Sequence, residues 1–112
     1  MSYALRQLPS GEWVKLARRL TFSLDFDRTY TADPTLWRTF IDSAHAAGHR
    51  VIMITRRPDT AADRDEIESH TVNAGLDRII FAGDQQKADA AKAAGLAVDI
   101  WIDDYPAGIP AA

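Results

Sequence analysis

Apolar residues recur along this chain in short blocks with two different periods. Leu20, Phe22 and Leu24 alternate with Thr21 and Ser23, the period of two expected of a strand. Val51-Ile52-Met53-Ile54 is an unbroken apolar run, the mark of a strand buried on both faces. Arg78-Ile79-Ile80-Phe81 predicts a third strand, closed by Gly83 and Asp84, and Val98-Asp99-Ile100-Trp101-Ile102 predicts a fourth. Between these blocks the period lengthens. Leu36, Trp37, Phe40, Ile41 and Ala44 fall at helical spacing. Asp33 followed by Pro34 is a helix start, and Gly48 is its stop. A second helix is expected from Pro58 and Asp59 to about Asn73, with Gly75 as terminator; its apolar face is thin, which suits an edge. An alanine-rich helix follows from about Gln86 to Ala94 and ends at Gly95.

Strands alternating with helices of this size predict βαβ units and a parallel sheet with helices on its faces. The expectation is a three-layer α/β domain over residues 20–112, with four parallel strands. Counted from the Leu20 strand, the expected order is 4-1-2-3, with strand one inside the sheet. Residues 1–19 read differently: Leu5-Arg6-Gln7-Leu8 and Trp13-Val14-Lys15-Leu16 flank the turn-like Pro9-Ser10-Gly11-Glu12, a hairpin pattern.

Composition changes this picture little. The 112 residues suit one domain, and the hydrophobic share of 46% and charged share of 26% are ordinary for a globular chain. A net charge of -3 gives no general pull towards nucleic acid or membrane. Cysteine is absent, so disulfides and thiolate metal sites are excluded. No apolar run is long enough for a membrane span and no signal-like segment opens the sequence, so a soluble, cytoplasmic protein is the expectation.

The strand ends carry the chemistry. Strand one runs into Asp25 and Asp27, strand two into Thr55, and strand four into Asp103 and Asp104, while Lys87 opens the helix that feeds strand four. In an open parallel sheet, ligands bind at the carboxyl ends of the strands. Several carboxylates gathered there need a cation to stay ionised. Oxygen-only ligands suit magnesium, here expected between Asp25, Asp27 and Asp104.

These residues also carry a resemblance. Asp25-Phe26-Asp27-Arg28-Thr29 resembles the first motif of the haloacid dehalogenase superfamily of phosphotransferases, Ile54-Thr55 the second, Lys87 the third, and Ile102-Asp103-Asp104 the fourth in its paired-aspartate form. The order along the chain is that of the family, over roughly Thr21 to Pro106. The wording around Asp25 and Asp103 is similar to small phage-encoded members. The resemblance implies a Rossmann-like, capless αβα fold and a magnesium-dependent phosphatase acting through an aspartyl-phosphate. It implies Asp25 as nucleophile, Asp27 as general acid and base, Thr55 as donor to the phosphoryl group, and Lys87 as the neutralising cation. It implies a metal held by Asp25, the Asp27 carbonyl and Asp104, with Asp103 as ligand or support. Many members have Gly where Arg28 stands; Arg28 either contacts substrate or points away.

Other readings stay beside this one. Arg56 and Arg57 read as leaving-group contacts or as solvated loop charges; Arg28 and Arg56 are the candidate substrate-binding residues. Lys87 is preferred to Lys92, which projects to a different helix face. His45 and His49 have a metal-like spacing, but Gly48 interrupts the helix between them, and surface histidines are expected. Trp37, Phe40 and Trp101 read as core. No cap domain fits between the motifs, so an open site is expected, suited to a nucleotide, a nucleic-acid end or a phosphorylated macromolecule, or else covered by a second subunit. The basic arm of Arg6, Lys15, Arg18 and Arg19 adds weak support for an anionic partner. The rival classes are a receiver-like phospho-acceptor switch, whose acidic pair comes early in the chain rather than late, and a non-catalytic binding protein on the same fold.

Overall fold

The computed structural model describes residues 5–15 and 18–110. Its elements, in chain order, are β1 (Leu5–Gln7), β2 (Trp13–Lys15), β3 (Thr21–Leu24), α1 (Pro34–Ala46), β4 (Arg50–Thr55), α2 (Ala61–Thr71), β5 (Arg78–Phe81), α3 (Lys87–Ala93) and β6 (Ile100–Ile102), with short 3-10 turns at Tyr30–Ala32 and Pro106–Gly108.

β3, β4, β5 and β6 form one parallel sheet. Its order is β5-β4-β3-β6; the two hairpin strands come first in the chain and shift the count by two, and β3 lies inside the sheet. The alternation along each strand sorts side chains onto two faces. Leu24, Val51 and Met53 pack with Ile41 and Ala44 of α1 and Ile67 of α2, while Ile52 and Ile54 pack with Ala90 and Ala91 of α3. Helices therefore cover both faces, and β4 is buried on both, as its unbroken apolar run requires. Trp37 and Phe40 lie half-buried against the first cluster and Trp101 against the second.

α1 begins where its capping residues put it: the Asp33 carboxylate accepts from the Leu36 N–H at 3.1 Å, and Pro34 takes the first turn. α2 corrects the expected start at Pro58 and Asp59. Thr60 is the cap, accepting from the Asp63 N–H at 3.2 Å and donating to the Asp63 carboxylate at 2.7 Å. The helix also stops early, at Thr71, because Val72 turns to extended backbone and Asn73 takes a φ of 62°. β6 is shorter than the pattern suggested. Asp99 leaves the strand and turns its carboxylate to the Thr21 N–H at 2.8 Å.

β1 and β2 pair antiparallel, closed by Leu8 N–H to Glu12 O at 2.7 Å and Gly11 N–H to Leu8 O at 2.9 Å. Leu5 and Trp13 of this hairpin are exposed. Leu16 and the Lys15 side chain, assigned above to the hairpin and the basic arm, lie outside the described residues. Arg18 of that arm pairs with Asp99. Among the described residues, no helix is long and apolar enough to cross a membrane.

His45 and His49 serve the scaffold. His45 Nε2 lies 2.9 Å from Asp77, whose carboxylate also accepts from the Val51 N–H at 2.8 Å. His49 Nδ1 accepts from the Leu20 N–H at 3.0 Å.

Candidate active site

The sheet's register brings the acidic strand ends together. Leu24 pairs with Met53 on one side and Ile102 on the other. The ladder continues one step further, from the Asp25 N–H to Ile102 O at 2.9 Å. Asp25 and Asp103, 78 positions apart in the numbering, thus leave adjacent strands side by side.

Lys87 spans them. Its Nζ donates to Asp25 Oδ1 at 2.7 Å and to Asp103 Oδ2 at 2.6 Å, and only 3% of the residue is exposed. A lysine so buried keeps its charge only with paired carboxylates. Lys92, on the same helix, is exposed. Asp25 is fixed on its other oxygen by Thr29, whose hydroxyl donates to Oδ2 at 3.2 Å. Burial pushes the Asp25 carboxyl up to about 6 against the pull of Lys87, with a contact to Asp104 and the charge of Asp103 adding to the rise.

Oxygens of Asp25, Asp103 and Asp104 lie within 4.8 Å of one another. Lys87 neutralises only part of this charge, and an all-oxygen donor set of this size fits a hard divalent cation such as magnesium. The Asp27 side chain stands outside this group. It faces Arg57, which donates from Nε at 3.0 Å and from a terminal nitrogen at 2.7 Å. The hydrogen bonds from Arg57 hold the Asp27 carboxyl below its usual value, burial opposing only in part. Behind it, Arg57 reaches Asp63 at 3.2 Å and Glu66 of α2, and its guanidinium lies over the Phe26 ring.

Thr55 is buried at the end of β4, and its hydroxyl oxygen accepts from the Arg57 N–H at 3.2 Å. A cleft of about 550 Å³ opens over Asp25, Thr55, Lys87, Asp103 and Asp104, with Asp27 and Arg57 in its wall. Arg28, Thr31, Arg56 and Tyr105 form its rim. Arg28 is exposed on a backbone of φ 63°, and its N–H donates to the Thr31 hydroxyl at 3.0 Å.

Asp25, Asp27, Arg28, Thr55, Arg56, Lys87, Asp103 and Asp104, the residues the sequence offers for catalysis, substrate or metal, line one cleft. Sequence reasoning gave no role to Thr29, although it closes the first motif, nor to Tyr105, which follows the fourth. It left the Arg56-Arg57 doublet unresolved. The acids Asp63 and Glu66, one helical turn apart on α2, were the available signal for Arg57. Comparison with protein-family models, with curated proteins and with solved structures finds no match for this chain.

Proposed function

We propose that this chain is a magnesium-dependent phosphate-ester hydrolase of the haloacid dehalogenase kind, acting through an aspartyl-phosphate on Asp25. The observation that carries the reading is the buried Lys87 bridging Asp25 and Asp103 on the floor of the cleft. A carboxylate attacks an anionic phosphoryl group only where cations screen the repulsion, and Lys87 holds one at the attacking oxygens. Magnesium bound by Asp25, Asp103 and Asp104 would add charge screening for the phosphoryl oxygens.

In the first half-reaction an Asp25 oxygen forms a bond to phosphorus while the ester P–O bond breaks. The departing oxygen takes the proton of Asp27. Thr55 and Lys87 would donate to the transferring phosphoryl group. In the second half, Asp27, now a carboxylate, takes a proton from water as the water oxygen bonds to phosphorus. The Asp25–phosphate bond breaks and inorganic phosphate is released. The Arg57 fork favours the carboxylate form of Asp27 that this second half needs.

The same fork favours a second reading. If the Arg57 fork keeps Asp27 from taking up a proton at all, Asp27 can neither protonate a leaving oxygen nor accept the proton of the attacking water. A phosphoryl group that Asp25 takes from a donor with a good leaving group is then released slowly, as a phospho-acceptor switch would. A panel of phosphate esters, assayed with and without magnesium, separates the two. Multiple turnovers that vanish in Asp25→Asn support the hydrolase; one phosphoryl group retained per chain supports the switch; equal turnover in Asp25→Asn overturns both.

A further inference from the structure

We propose that the rim of this cleft is a subsite for single-stranded nucleic acid, seating the base and the internucleotide phosphate next to a terminal phosphate. The inference rests on the hydrolase reading for its orientation, but its observations are separate from the buried floor. The rim residues Arg28, Arg56 and Tyr105 have no part in the proposed chemistry.

The first observation is charge. Arg57 and Arg64 are engaged by carboxylates, and Arg18 by Asp99. Arg28 and Arg56 have no carboxylate within ion-pair distance among the described residues, although they border a cleft rich in aspartate. Arg28 acts on Asp27 only at longer range, and two guanidinium groups without a contact ion pair beside a phosphoryl site fit a second phosphate.

The second is an aromatic face. Tyr105 is 59% exposed, and its backbone N–H donates to Asp103 Oδ1 at 2.9 Å, so the backbone that carries the ring is tied to the acidic cluster. Gly108 permits the arrangement. A Cβ added there would lie 3.1 Å from Cδ of Arg56 and 3.3 Å from Cδ2 of Tyr105. The two side chains thus converge on one bare stretch of backbone, a planar cation beside a ring. Bases stack on such surfaces whatever their sequence.

The third is strain. Arg28 occupies left-handed backbone, which most residues avoid. Outliers of this kind concentrate where a side chain has a functional task. A flat base, a flanking phosphate and a terminal phosphate within one short span is the chemistry of a nucleic-acid end. A phosphopeptide offers the terminal phosphate alone.

The test uses the full chain and fluorescein-labelled DNA tetranucleotides with a 5′- or 3′-terminal phosphate, with a phosphoserine peptide of equal charge for comparison. Anisotropy without magnesium measures binding apart from turnover. Hydrolysis with magnesium is compared with glycerol phosphate, which has neither base nor second phosphate. One tetranucleotide should bind more tightly than the peptide, and the favoured end shows the strand's direction. Tyr105→Ala should weaken that binding about tenfold, as loss of one stacked base does. Arg28→Ala and Arg56→Ala should each lower the slope of log K against log salt by about 0.7. The kcat/KM ratio of tetranucleotide to glycerol phosphate should fall about tenfold in Tyr105→Ala. Tetranucleotide binding with these losses but no hydrolysis of any ester would sustain the subsite and overturn the hydrolase. Turnover of glycerol phosphate with tighter binding of the peptide, or with no loss in the three variants, would overturn the subsite and leave the hydrolase standing.

Discussion

Both carboxylate oxygens of Asp27 are held by the guanidinium of Arg57, at 3.0 and 2.7 Å. The pair couples the turn after β3 to the turn after β4, and Asp63 and Glu66 fix the guanidinium from α2. A fork of this geometry stabilises the ionised carboxylate and opposes its protonation.

That opposition gives a signed prediction. If Asp27 must start the reaction protonated, its pKa limits kcat/KM on the alkaline side. Arg57 holds that pKa down, so Arg57→Ala should move the alkaline limb to higher pH. Arg57→Lys keeps the charge but loses the fork, and should move it less. The check is a pH–rate profile for each variant on one phosphate ester. An alkaline limb that stays in place would remove Asp27 from the acid role.

Lys87 should matter to stability as well as to turnover. Removing one partner of a buried ion pair leaves the other charge stranded, at a cost of about 3 kcal/mol. Lys87→Ala strands both Asp25 and Asp103. Urea unfolding should show a loss of that order, with Lys92→Ala close to wild type, and phosphatase activity should follow the same ranking. Equal effects of the two substitutions would mean that Lys87 does not hold the acidic strand ends together.

Magnesium should act in the opposite direction. The cluster of Asp25, Asp103 and Asp104 repels itself, and a cation bound only by the folded chain adds about 2.7 kcal/mol at a hundred times its dissociation constant. The thermal midpoint should rise with millimolar magnesium, and Asp104→Asn should blunt the rise. A midpoint indifferent to magnesium would count against a metal at these residues.

Much of this architecture is legible in the sequence because position and chemistry coincide. Three of the four apolar blocks run out at a polar residue, Asp25, Thr55 or Asp103. In a parallel sheet those stops must share an edge, so the cleft follows once the strands are identified. The turns were less legible. Arg56 and Arg57 are chemically alike, and only the path of the chain after β4 decides that Arg57 turns inward while Arg56 reaches the rim. The start of α2 was misread because Pro58 and Asp59 imitate a cap, whereas Thr60 and Asp63 bond each other in both directions. Asp77 carried no pattern at all. Its use depends on His45 and on the Val51 N–H, which only the folded chain brings near.

Asp77 leads to a pH prediction for the scaffold. Burial raises its pKa, but the His45 and Val51 hydrogen bonds outweigh that, and the carboxyl lies below its usual value. A depressed folded value means stability that is present above about pH 4, the unfolded value, and is lost as pH falls through the folded one. Asp77→Asn should lose stability at neutral pH and show a flatter decline below about pH 4. The comparison is unfolding free energy against pH for the two chains. Parallel curves would show that Asp77 contributes nothing through its charge.

Arg28 offers a test that sets stability against binding. Left-handed backbone costs a residue with a Cβ about 1 kcal/mol, and glycine escapes that cost. Glycine also gives the unfolded chain more freedom, which removes about 0.4–1 kcal/mol of the gain. Arg28→Gly should therefore leave the unfolding free energy within about 0.5 kcal/mol of wild type, the difference between those two effects. Arg28→Val, β-branched at φ 63°, should lose about 1 kcal/mol beyond the cost that arginine already bears there. Binding should not follow this ranking. Both substitutions remove the guanidinium from the rim, so both should weaken a terminally phosphorylated tetranucleotide, and by similar amounts. Urea midpoints and anisotropy on the three chains separate the outcomes. If Arg28→Gly lost more than about 1 kcal/mol, the side chain would be supporting the turn, and the strain could no longer be assigned to a ligand.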